Sequence, residues 1–181
     1  AGRLQGRLSL PLSAVGKEQC EAACRRLADI ELAAVYHPPD EACAETAKEL
    51  ARGHKGCRAR KTSMLAELDL GLWQGAAVED IQRRQPKVHK RWLEDPLSVT
   101  PPQGESFDQG YRRIADAVDE LLDRHGETAR PTSVALVVPP IAAALIRCHL
   151  TRGELADIWT MFGTEPAGPE RFEVEPIRES K

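Results

Sequence analysis

Apolar positions along this chain switch between two spacings, and the switches place helices and strands in alternation. Cys20, Ala23, Cys24 and Leu27 recur at helical spacing among charged residues, which predicts an amphipathic helix over 16–29, opened near Gly16. The short apolar run Leu32–Tyr36 ends at Pro38-Pro39 and reads as a buried strand. Asp40 supplies an N-cap for a helix over 40–52 that Gly53 ends. Residues 57–62 alternate weakly, as a second strand would. From Met64 to Gly75 apolar and acidic residues mix with two glycines, so a loop of special backbone geometry is expected. Helices follow at 77–84 and 87–94, separated at Pro86, and the proline-rich stretch Asp95–Gln103 reads as an ordered loop or lid. Ser106 caps a long helix over 107–124, whose apolar face carries Tyr111, Ile114, Ala115, Val118, Leu121 and Leu122. Ser133–Val138 is the strongest strand, Pro139-Pro140 lead into an apolar helix over 141–150, and Arg171–Ile177 reads as an edge strand.

Strands alternating with helices imply an α/β architecture with a mostly parallel sheet. Ligands of such sheets bind outside the carboxyl ends of the strands. That rule directs attention to the turns Tyr36–Ala42 and Val138–Ala142. At 181 residues one sizeable core can be buried, so a single domain over 1–181 is expected. The 28 acidic and 25 basic side chains intermix to a net charge of -3, which argues against nucleic acid or an anionic membrane as partner. The basic clusters Lys55–Lys61 and Arg83–Arg91 read as solvated faces. Apolar runs fall short of the ~20 residues that cross a bilayer, and the N-terminus lacks a signal-peptide layout, so a cytoplasmic location is expected. The five cysteines form no CxxC pair and read as reduced thiols. His54, His89 and His149 stand at no metal-ligand spacing.

Five segments in order resemble landmarks of the histidine phosphatase superfamily, the phosphoglycerate mutase-like proteins. Gly2-Arg3-Leu4-Gln5-Gly6 followed by Pro11-Leu12-Ser13 is similar to the family's GRxQG…PLS substrate-side loop. Tyr36–Ala47 (YHPPDEACAETA) resembles YSSPLxRAxxTA, and Leu65–Gly75 (LAELDLGLWQG) resembles LxExxFGxWEG. Pro102-Gln103-Gly104-Glu105-Ser106 is similar to PGGES, and Ser133–Arg147 to VLVVSHGGVIR. The resemblance implies a three-layer α/β/α fold without a cofactor or metal, and a phosphorylated small molecule or protein as partner, with oligomers an open option.

The same resemblance implies phosphoryl transfer through a histidine, with cations around the phosphoryl oxygens and a glutamate as proton donor. Read residue by residue, most of that set is replaced. Glu67 keeps the acid position, and Gln5 and Gly6 keep the substrate-side loop. Ala42 stands where the family has a phosphate-binding arginine. Pro139-Pro140 stand where it has Ser-His, and proline offers neither a side-chain donor nor an N–H. The family's RHG strand would precede Ala1, so the chain is expected to miss its first strand. Arg124-His125-Gly126-Glu127-Thr128 spells RHGET but follows a charged helix end, where Gly126 reads as a C′ cap. Glu67 is read evenly as a retained acid or as a carboxylate that caps or pairs with a neighbour such as Arg60. His37 is read as a surface turn histidine, and Trp73, Trp92 and Trp159 as core anchors. The expectation is a catalytically inactive or impaired member with a binding or structural role. The alternative is a phosphomonoester hydrolase or phosphoglycerate mutase-like enzyme whose nucleophilic histidine lies in an N-terminal segment absent from this chain.

Overall fold

The computed structural model describes residues 2–126, 132–163 and 168–174 of the 181. In chain order the helices and strands are α1 (Ala14–Leu27), β1 (Leu32–His37), α2 (Glu41–Arg52), β2 (Ala59–Lys61), α3 (Val78–Arg84), α4 (Pro86–Glu94), α5 (Phe107–Gly126), β3 (Ser133–Leu136), α6 (Pro140–Thr151) and α7 (Ile158–Gly163). They fall into two compact units. One comprises Ser9–Leu65, Asp116–Val138 and Glu165–Lys181; the other comprises Ala1–Leu8, Ala66–Ala115 and Pro139–Thr164.

The first unit carries the three strands found among the described residues, in the order β2-β1-β3 and all parallel. A central parallel strand must be apolar on both faces. β1 meets that demand, because only Ala33 is exposed, at the point where the register with β3 slips. Pairing of Val35 with Ala59 and Ala135 puts these three on one face, and pairing of Tyr36 with Arg60 and Leu136 puts those on the other. On the Val35 face, Leu32, Val35, Ala47, Leu50 and Ala51 form a core, with Cys24, Leu27 and Ile30 packed against it. Truncating Leu50 to alanine there costs about 2–5 kcal/mol. α2 starts where Asp40 Oδ1 accepts the Cys43 N–H at 2.9 Å and stops at Gly53. α1 starts two residues earlier than its apolar spacing suggests, because Ser13 Oγ accepts the Gly16 N–H at 3.1 Å.

The second unit is held by aromatic packing. Trp92 lies 5.3 Å from Trp73, 4.9 Å from Phe107 and 5.5 Å from Trp159 between ring centroids. Trp73 and Trp92 are buried core anchors, whereas Trp159 is half-buried and its indole N–H donates to the Trp92 carbonyl at 2.7 Å. Pro86 opens α4 at its first turn, and Ser106 and Gln109 close a reciprocal box at the start of α5. The proline-rich loop is ordered by a close backbone approach. Leu72 donates to the Pro102 carbonyl and Glu105 to the Asp69 carbonyl, both at 2.9 Å. A side chain on Gly71 (φ 49°) would meet the Pro102 carbonyl oxygen at 2.2 Å, which is why glycine stands there.

Several expected boundaries shift. β2 and β3 are shorter than their apolar patterns, and Gly126 is the last residue of α5 rather than a cap beyond it. Glu127 and Thr128 of the RHGET motif lie outside the described residues. Residues 171–174 form no strand, and the rest of the expected edge strand, 175–177, lies outside the described residues. All five cysteines are free thiols, and no helix among the described residues is long and apolar enough to cross a membrane.

Candidate functional site

Glu67 is a buried, hydrogen-bonded carboxylate of the helical unit. Leu68 and Leu70, which follow it, are fully buried and draw the segment inward, leaving Glu67 6% exposed. Its carboxylate meets the start of α6. The Ile141 N–H donates to Oε2 at 3.0 Å, and the Ala142 and Leu68 N–H groups donate to Oε1 at 2.9 Å each. Pro139, in the cap position, has no side-chain acceptor, and Pro140 has no N–H. Glu67 therefore performs the capping that a serine or aspartate at position 139 would perform. Burial pushes its carboxyl above the ordinary glutamate value, while the Leu68, Ile141 and Ala142 N–H groups and the Arg113 charge pull it down; burial prevails.

A second layer fixes this segment from behind. Arg113 Nη1 donates to the Ala66 carbonyl at 3.0 Å, and Arg7 Nε donates to the Glu67 carbonyl at 3.0 Å. Both guanidiniums share Glu105, and Arg7 also reaches Asp69 at 3.2 Å. The two arginines of this layer are thus engaged by carboxylates and carbonyls rather than held ready for a phosphoryl group. Gly6 adopts φ 55° against the Gln74 side chain, whose Oε1 accepts the Arg7 N–H at 2.6 Å. Gln5 is exposed beside it. The structure therefore gathers Glu67, Pro139 and Pro140 at one helix start, with Arg7, next to Gly6, bonded to the Glu67 carbonyl.

Ala42 belongs to the sheet unit, half-buried in the first turn of α2. Its side chain offers no donor to an anion. His37 is buried at 5%, not on the surface as its turn position suggests, with Nδ1 2.7 Å from the Pro38 carbonyl oxygen. The apolar run of β1 simply extends one residue further and takes the imidazole with it. His125 sits with Nε2 3.0 Å from the Tyr36 hydroxyl, and burial followed by the Arg60 and Arg124 charges pushes its protonation downward. Its place at the end of α5 fits the helix-end reading of the RHGET motif.

Glu105, Arg7 and Arg113 are the residues that sequence reasoning left without a role. Glu105 lies in the segment similar to PGGES, which was its only signal; its partner Arg7 is 98 positions away.

The model of the histidine phosphatase superfamily (branch 1) matches residues 1–177. Phosphoserine phosphatase 1 of Hydrogenobacter thermophilus is 29% identical over 177 residues, covering 98% of this chain and 81% of that protein. Bifunctional protein Rv2228c of Mycobacterium tuberculosis is 36% identical over 121 residues, 66% of this chain but only 33% of that protein. Among solved structures, Bacillus stearothermophilus YhfR superposes with a TM-score of 0.79 at 25% identity, covering 91% of this chain and 77% of that one. The mycobacterial glucosyl-3-phosphoglycerate phosphatase Rv2419c gives 0.78 at 27% identity, covering 87% and 75%.

Proposed function

The chain belongs to the histidine phosphatase superfamily, and from that premise we propose that it is a non-hydrolytic or strongly impaired member with a binding or structural role. The observation that carries this reading is the start of α6. Pro139 and Pro140 bring no donor there, and the two free N–H groups, Ile141 and Ala142, are spent on Glu67. Phosphoryl transfer rests on donors and cations already aimed at the oxygens that gain charge. Ala42 removes another such donor. The partner on this reading is a phosphorylated small molecule or a protein, met in the cytoplasm.

A second reading, a phosphomonoester hydrolase, is favoured by one feature: burial raises the proton affinity of Glu67, as a proton donor to a leaving group requires. It also agrees with two of the similar proteins, a phosphoserine phosphatase and a glucosyl-3-phosphoglycerate phosphatase. Steady-state hydrolysis of phosphoserine and p-nitrophenyl phosphate separates the two. No turnover above buffer is expected. Turnover that vanishes in Glu67→Gln would overturn the first reading in favour of the second.

A further inference from the structure

The sheet unit contains a cleft of about 300 Å³, a volume at the small end for ligand sites, that the family resemblance does not assign. Its position follows from the strand register. Tyr36 and Arg60 are paired and point to the face opposite the Leu50 core, where Ala117 and Leu121 of α5 form the other wall. Lys61 and Thr62, at the carboxyl end of β2, complete the rim together with Glu120 and Arg124. Parallel sheets receive ligands beyond this end of their strands.

The charge here departs from that of the whole chain. Three cations and one carboxylate line the cleft, whereas the molecule as a whole carries -3. Arg124 Nη2 pairs with Glu120 at 2.6 Å. Arg60 and Lys61 are exposed, and among the described residues neither pairs with a carboxylate. Hydroxyls of Tyr36 and Thr62 lie in the same lining, and Met64 and Leu121 give it an apolar side. Cationic and hydroxyl-bearing residues lining one cleft beside an apolar wall match a phosphate group on a compact apolar body.

We propose that this cleft binds a small phosphomonoester, with Arg60 on the phosphate, Lys61 at the rim and the Leu121 side against the organic group. The site gives a use to the basic cluster ending at Lys61 and to the Arg124 of the RHGET motif. The depressed protonation of His125, caused after burial by Arg60 and then Arg124, agrees with a locally positive field. The proposal goes beyond the reading of Glu67 and α6 and uses none of those residues.

The test is titration of the ¹⁵N-labelled full chain with inorganic phosphate and with phenyl phosphate, followed by NMR. Saturable shifts are expected at Arg60, Lys61, Thr62 and Arg124, with phenyl phosphate binding more tightly than phosphate. Arg60→Ala should weaken binding about tenfold, the worth of one charge-assisted hydrogen bond. Glu120→Gln, which removes the only carboxylate in the lining, should tighten it. Because Arg60 is exposed, Arg60→Ala should fold, and Lys61→Ala gives an independent second reading. Absence of saturable shifts, shifts confined to residues elsewhere, or equal affinity of both alanine variants and the unaltered chain would overturn the proposal.

Discussion

Replacing Glu67 by glutamine tests whether its carboxylate caps α6. The change keeps the shape and preserves one oxygen, so the Ala142 and Leu68 N–H bonds at 2.9 Å can survive. The other oxygen becomes an NH₂ facing the Ile141 N–H, which sits 3.0 Å from Oε2 in the unaltered protein. Two donors then oppose each other in a buried place. An orphaned buried donor costs about 1–3 kcal/mol. For a chain of this size each kcal/mol moves the midpoint by about 2–4 °C. The pH dependence has a definite sign. Burial raises the folded carboxyl, so the stability that Glu67 contributes is fully present below the unfolded value and is lost as pH rises through the folded one. A protonated carboxyl still accepts through its hydroxyl oxygen, whereas an NH₂ group does not. The cost of Glu67→Gln should therefore be largest below the unfolded carboxyl value and shrink as pH rises through the folded one. Urea unfolding of both proteins at several pH values measures it, and amide exchange at Ile141 locates it. Equal stability of the two proteins across the range, with Ile141 exchange unchanged, would refute the capping argument.

Gly71→Ala combines a left-handed backbone with a clash against the Pro102 carbonyl and should destabilise by more than the about 1–2 kcal/mol of the backbone effect alone, read by thermal unfolding. Ser106→Ala removes the acceptor for the Gln109 N–H and should cost about 1 kcal/mol, read the same way. Burial and the neighbouring Cys20 push the Cys24 thiol up to about 11. Near pH 8 its alkylation, followed by peptide mass mapping, should run about a hundredfold slower than that of an unperturbed thiol.

What could be read from the sequence was local. Asp40, Pro86 and Ser106 announce helix starts because a cap acts within three or four residues, and β1 announces itself because a central parallel strand needs an unbroken apolar run. The α/β class followed from those elements alone. Ser13 was harder to find, since Val15 in the first turn of α1 is exposed and carries no apolar period. The Glu67 cap joins residues 74 and 75 positions apart, and such pairing has no periodic signature. The Glu105 layer was hidden for the same reason. His37 was misplaced because prolines mark the end of a strand but do not say how deep its last side chain lies.

On the function proposed above, no histidine of this chain takes up a phosphoryl group. Intact-mass analysis of the full chain after rapid quenching from p-nitrophenyl phosphate tests it directly, since transfer through any of the five histidines would leave an acid-labile phosphoryl adduct. An unmodified mass is expected at all quench times. A phosphoryl adduct that maps to a histidine and forms as p-nitrophenol is released would contradict it.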